Sequence, residues 1–199
     1  MIRNILFFTL TLIFITISSS YGYSIQKIQN AEDTKLIKLN TNKGDIIIKI
    51  FTKEAPETAK NFINYVEKGS YNGTIFHRVI ANFMIQGGGL LPDMSEINSN
   101  PPVVNESSNN LSNKKGTLAM ARTSDPHSAT SQFFINLKDN DFLDKENAQD
   151  GWGYCVFGEV TEGIEIVEQI GLVETGNHPS GHQDVPRETI TIESVEIIE

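Results

Sequence analysis

One cysteine, Cys155, stands in a chain of 199 residues, so no internal disulfide can hold the fold and stability must come from a buried core. Basic charge is the minority sign: 16 Lys and Arg face 25 Asp and Glu, for a formal net charge of −9. A surface of that sign excludes nucleic acid as a partner. Long apolar runs are missing after residue 17, and the run Ile5–Ile17 itself falls short of the roughly 20 residues of a membrane span. It follows a lone basic residue, Arg3, and ends in Ser18-Ser19-Ser20-Tyr21-Gly22. That order reads as a secretory signal over residues 1–22, cleaved after Ser20 or Gly22. It predicts an exported chain with no stable membrane insertion once processed.

What remains is 39% hydrophobic over the whole chain and is sized for a single core. Residues 23–34 read as an N-terminal extension and 35–199 as one domain. Leu36–Leu39 and Ile46–Ile50 are β-rich and flank the turn residues Asn40–Asp45, which predicts an opening hairpin. A helix follows, with Pro56 in its first turn, Ala59, Phe62, Ile63 and Val66 on one face, and Gly69 to end it. Strand patterns recur at Thr74–Ile80, Phe83–Gln86, Gly116–Ala121, Gln132–Asn136, Tyr154–Val160 and Ile190–Ile198, with a second short helix at Gly163–Ile170. Gly88–Lys115 and Lys138–Gly153 are loop-like. The pattern is mainly β, and periodicity leaves barrel and sandwich both open.

The run Phe76-His77-Arg78-Val79-Ile80-Ala81-Asn82-Phe83-Met84-Ile85-Gln86-Gly87-Gly88 sets one Arg among aromatic and sulfur side chains with no acid in the run to neutralise it. Such a site suits a neutral, apolar ligand with one polar bond to grip. The run resembles the cyclophilin signature, and Gly116-Thr117-Leu118-Ala119-Met120-Ala121-Arg122 and Ser131-Gln132-Phe133-Phe134-Ile135-Asn136 extend the resemblance in the same order. It implies a closed eight-stranded antiparallel barrel capped by two α-helices, with the site on the outer wall. It also implies a peptidyl-prolyl cis-trans isomerase acting on proline-containing polypeptides, exported folding clients in this setting, as a monomer and with no cofactor or metal.

The chemistry of the residues suits that activity. Rotation about an X-Pro bond meets a barrier of about 18–20 kcal/mol from amide resonance, and no covalent step is required. By the resemblance, Arg78, Phe83 and Gln86 are the catalytic positions, with Gln86 steadying Arg78 and the substrate backbone. Phe83, Met84, Phe134 and Leu143 form the proline pocket, and Ala121, Arg122, Gln132, Phe142 and Tyr154 border the substrate groove. Arg122 stands where many eukaryotic members carry Asn, Tyr154 where they carry His, and Phe142 where many carry Trp. Bacterial cyclophilins share these departures, which implies a periplasmic enzyme of a Gram-negative bacterium. Phe142 lacks the indole N–H that donates to cyclosporin in sensitive members, so binding of that drug is expected to be weakened.

Other readings are weaker. Strand alternation puts Phe133 and Phe134 on opposite faces and turns His77 away from Arg78, which leaves His77 a structural role. Cys155 lies in the apolar run Tyr154–Phe157 and reads as a buried structural thiol. His178, His182 and Asp184 are metal-ligand types, but Pro179 and Gly181 place them on a loop where an i, i+4 pair makes a poor clamp. Hydrolysis through Ser128 or Ser131 lacks a nucleophile elbow. A proline-segment holder in which catalysis is incidental is the alternative to an isomerase.

Overall fold

A computed structural model describes residues 34–198. The expected leader at 1–22 and almost all of the extension at 23–34 lie outside the described residues. The strands are β1 (Thr34–Thr41), β2 (Gly44–Phe51), β3 (Phe76–Ile80), β4 (Met84–Gly87), β5 (Thr117–Met120), β6 (Phe133–Asn136), β7 (Val156–Glu162), β8 (Thr175–Gly176), β9 (Val185–Pro186) and β10 (Ile192–Ile197). Two helices join them, α1 (Pro56–Glu67) and α2 (Ile164–Ile170). Eight strands form one antiparallel sheet in the order β10-β1-β2-β7-β5-β6-β4-β3, while β8 and β9 make a separate hairpin.

Alternation along the sheet explains its curvature. Ile37, Leu39, Ile46, Ile48, Ile50, Val79, Ile85, Leu118, Phe133, Ile135, Phe157 and Ile192 come from all eight strands and share one buried cluster. A flat sheet this wide cannot bring its first and last strands to a common core, so the sheet curls around it. Closure is less complete than expected. β3 and β10 form no ladder; they meet at one bridge, Ile75 with Thr191, flanked by Phe76 N–H to Ile190 O (2.9 Å) and Ile192 N–H to Thr74 O (2.8 Å). The result is a strongly curled eight-stranded sheet rather than a barrel sealed by continuous pairing.

Both helices bury their apolar faces in this core, α1 through Ala59, Phe62, Tyr65 and Val66 and α2 through Val167 and Ile170. The Phe62 ring meets Phe133 edge-on at 5.4 Å and Phe157 at 5.1 Å. Burying one such ring is worth about 1.5–3 kcal/mol. Gly69 ends α1 as expected: its φ of +64° is left-handed, and Ser70 N–H reaches back to Tyr65 O at 2.9 Å. At the other end no side chain of the helix itself caps it. Glu106 does so instead, accepting from Thr58 N–H at 2.8 Å and Glu57 N–H at 3.2 Å, which anchors the long loop before β5 to the helix.

Candidate active site

The same alternation that fills the core leaves a second apolar cluster on the other face of β3–β7. Met84, Ala119, Phe134, Leu143 and Val156 are buried there, and Ile80, Phe83, Ala121 and Tyr154 pack against them. Phe133 and Phe134 divide as expected, the first into the core and the second into this outer cluster. Above it lies an open groove of about 540 Å³. Arg78, Phe83, Met84, Gln86, Ala121, Arg122, Gln132, Phe134, Leu143 and Tyr154 all line it, so widely separated stretches of sequence converge on one surface.

Phe142 stands apart from that lining. It is 55% exposed and stacks on the Phe83 ring at 5.8 Å, extending the apolar rim outward. The short 3₁₀ turn Asp141–Leu143 explains the split, because it sends Leu143 inward and Phe142 to solvent. Arg122 does line the groove, yet its guanidinium is already engaged. Its side chain is 3% exposed, it donates from Nε to Gly153 O at 3.1 Å and from Nη1 to Thr123 O at 2.9 Å, and it pairs with Asp150. The carboxyl of Asp150 is held down to about 2, first by the Trp152 N–H and then by Arg122. With its guanidinium 4.4 Å from the Tyr154 ring, Arg122 is a strut for the groove wall rather than a free donor. Gly153 completes that wall: at φ +66° an added Cβ would lie 2.6 Å from Leu143 O.

The Arg78 strand departs from simple alternation. Phe76 pairs with Gly87 and Arg78 with Gln86, so His77 is an extra residue between two registered pairs, a β-bulge. The bulge turns two consecutive side chains to one face, and both His77 and Arg78 line the groove. His77 was expected to point away from Arg78; the inserted residue overturns that. His77 is nonetheless 4% exposed, its Nδ1 is buried without a hydrogen-bond partner, and the His182 ring lies edge-on at 6.3 Å.

Burial first and His182 second lower the His77 pKa to about 4. An unfolded chain takes up that proton near pH 6.5, so between pH 6.5 and about 4 the unfolded state holds the extra proton and stability rises with pH. His77 costs nothing above that window and subtracts up to about 3 kcal/mol by its lower end. His77→Gln is expected to flatten this part of the stability–pH curve in urea titrations and to leave isomerase activity standing. An unchanged slope would assign the acid sensitivity to other groups.

Arg78 also has an acid that its own segment lacks. The Asp184 carboxylate lies 3.5 Å from Arg78 Nε, contributed by the loop between β8 and β9. The partner expected for Arg78, Gln86, lies opposite it in the strand register but donates from Nε2 to Gln132 Oε1 at 2.8 Å. Sequence reading saw Asp184 only as one of three metal-ligand types. In the structure Asp184 pairs with Arg78, while His178 Nδ1 meets Ser180 Oγ at 2.8 Å. The rejected nucleophiles are likewise occupied: Ser131 is buried, and Ser128 Oγ accepts from Thr123 N–H at 2.9 Å. Cys155 is buried against Thr58, and burial pushes its thiol up to about 11.

A further set of residues was not legible as functional. Asp144 Oδ1 accepts from Asn113 N–H (2.7 Å) and Asn113 Nδ2 (2.9 Å), and Asp144 also takes the Ser112 hydroxyl. Asn136 Nδ2 donates to Asn113 Oδ1 at 3.3 Å, and Asn140 Nδ2 to Asn136 Oδ1 at 2.8 Å and Phe83 O at 2.9 Å. This buried chain runs beneath the groove and ties the backbone of Phe83 to the turn that carries Leu143. Its one sequence signal was an Asn closing the apolar strand Phe133–Asn136.

Comparison with known proteins agrees with this geometry. The family model described as cyclophilin type peptidyl-prolyl cis-trans isomerase/CLD matches residues 36–197. The chain is similar to the peptidyl-prolyl cis-trans isomerase B of Escherichia coli, with 55% identity over 166 residues that span 82% of this chain and 100% of the relative. It is 53% identical over 163 residues to the peptidyl-prolyl cis-trans isomerase cyp18 of Streptomyces antibioticus, covering 81% of this chain and 98% of that one. In structure it is similar to a cyclophilin-type peptidyl-prolyl cis-trans isomerase of Cryptosporidium parvum, at a TM-score of 0.67 and 25% identity over 83% of this chain and 98% of the other. An outer-face groove with one arginine above an apolar floor, on a curled eight-stranded sheet with two helices and in a sequence matched over its described length, places the chain in the cyclophilin-type peptidyl-prolyl cis-trans isomerase family.

Proposed function

We propose that the groove accelerates X-Pro rotation by holding the proline ring on the apolar floor and binding the twisted amide better than either planar isomer. The juxtaposition of Arg78 with that floor carries this reading. In the twisted state the proline nitrogen regains a lone pair that a planar amide nitrogen lacks. The Arg78 guanidinium, permanently charged and forked, orients the substrate carbonyl and donates to that nitrogen. Phe83, Met84, Phe134 and Leu143 receive the ring and keep water from the amide. Gln86 and Gln132, already bonded to each other, offer polar contacts to the flanking peptide beside Ala121. A related structure from Cryptosporidium parvum was determined in the presence of the dipeptide Ala-Pro, at a TM-score of 0.66, which supports a proline-containing ligand here. A proline-limited refolding assay on the wild-type chain and on Arg78→Ala separates rotation from mere holding, since a holder slows or leaves unchanged the phase that an isomerase speeds.

The bridge between Ile75 and Thr191, with its flanking hydrogen bonds, supports a barrel that is closed in effect across the β3–β10 seam. The sequence of residues 1–22 supports export, and with it a periplasmic setting and exported folding clients. Mass spectrometry of the exported form is expected to find an N-terminus at residue 21 or 23. A chain still beginning at Met1 in the membrane fraction would mean an uncleaved anchor.

A further inference from the structure

We infer that Asp184, on the loop between β8 and β9, is a positioning residue for Arg78: it fixes the guanidinium through Nε so that the two terminal amino groups face the substrate. The inference rests on the reading of Arg78 given above. Three observations converge on it. The Asp184 carboxylate meets Arg78 at Nε, 3.5 Å away, and so engages the nitrogen nearest the chain. The same residue is stitched to the Arg78 strand through its backbone, since Asp184 O accepts from Val79 N–H at 2.8 Å. Carboxylate and strand are therefore held in one frame. Finally, Asp184 has φ +58°, a left-handed conformation that glycine adopts without cost and other residues adopt seldom.

The loop itself is built to be firm. His178 N–H donates to His182 O at 2.8 Å and Gly181 N–H to His178 O at 2.9 Å, and the buried pair Val185 and Pro186 follows at once. His182 and Gln183 reach the groove beside His77, where the bulge in β3 meets the loop. An Arg side chain on an open surface samples many rotamers, and each one that points away from the amide is unproductive. A fixed acid at Nε removes that freedom and leaves the donors needed for the carbonyl and the proline nitrogen.

The left-handed backbone supplies a clean test, because glycine and asparagine both fit it. Asp184→Gly deletes the carboxylate and relaxes the backbone, while Asp184→Asn keeps an acceptor oxygen without the charge. The Arg78–Asp184 pair is about two-fifths exposed on both sides, and a pair so exposed adds little to stability. A residue with only a structural role therefore predicts that Asp184→Gly is neutral or stabilising and fully active. Positioning predicts that Asp184→Gly keeps its thermal midpoint but loses about fivefold in kcat/KM, mostly in kcat, with Asp184→Asn in between.

The deciding measurement is the double variant. In an Arg78→Ala background, Asp184→Gly should change the residual kcat/KM by less than about a factor of two, since the group it positions is gone. Full activity in Asp184→Gly, with Arg78→Ala impaired, would overturn the positioning role alone. So would the same fivefold loss in both backgrounds, which would mark a change of loop shape. Undiminished activity in Arg78→Ala would instead fail the reading of Arg78 itself. If the glycine variant does not fold, Asp184→Asn carries the same comparison.

Discussion

Arg78→Ala is expected to lower kcat/KM for X-Pro isomerisation by at least about tenfold while the fold and thermal midpoint stay near those of the parent. The two halves of that expectation have separate grounds. Arg78 is half-buried on the outer face, and its ion pair with Asp184 is exposed enough to contribute little to folding. Its loss should therefore leave the core, which lies on the other face of β3, unaffected. In the twisted amide, by contrast, the guanidinium makes a charge-assisted hydrogen bond that neither planar isomer can accept at nitrogen. Such a bond is worth about 1.5–3 kcal/mol, and tenfold in rate requires about 1.4 kcal/mol. Arg78→Lys keeps the charge but not the fork, and should recover only part of the loss. Exchange spectroscopy on a short X-Pro peptide reads both variants directly, and a folded Arg78→Ala protein with parental activity would remove Arg78 from the chemistry.

The sequence carried the site further than it carried its scaffolding. Regular strands obey a period of two, so Phe133 and Phe134, or Ile85 and Met84, could be sorted between core and groove from their positions alone. The bulge at His77 broke that rule by one residue, and a single insertion leaves no trace in hydrophobic patterning. Asp184 escaped for a different reason. It reaches Arg78 only because the β8–β9 hairpin folds back on β3, a contact that no local spacing encodes. Arg122 was placed at the groove correctly, but its bonds to Gly153, Thr123 and Asp150 come from a loop whose irregular backbone no periodicity describes. Closure at the β3–β10 seam is likewise a property of sheet curvature, which summed twist sets and individual residues do not announce.

The buried chain beneath the groove gives the second large effect, because there the polar groups have no water to fall back on. Asp144→Ala removes the acceptor for the Asn113 N–H, the Asn113 amide and the Ser112 hydroxyl together. Asn113 is fully buried, so at least two donors lose their partner inside the protein. Each such group costs about 1–3 kcal/mol, part of which local rearrangement recovers, so a net loss of about 3 kcal/mol is expected. For a domain of this size that corresponds to a fall of about 6–12 °C in thermal midpoint. Activity should fall as well. Tyr154 N–H donates to Leu143 O at 2.9 Å and Asn140 Nδ2 to Phe83 O at 2.9 Å, so loosening the chain moves two walls of the proline pocket at once. Asp144→Asn retains one acceptor oxygen and should cost roughly half as much, because neutral acceptors bind donors less strongly than a carboxylate does. Urea unfolding of the three proteins orders them, and a stability loss in Asp144→Ala below about 1 kcal/mol would show that the Asn113–Asn136–Asn140 bonds hold the groove floor without the carboxylate.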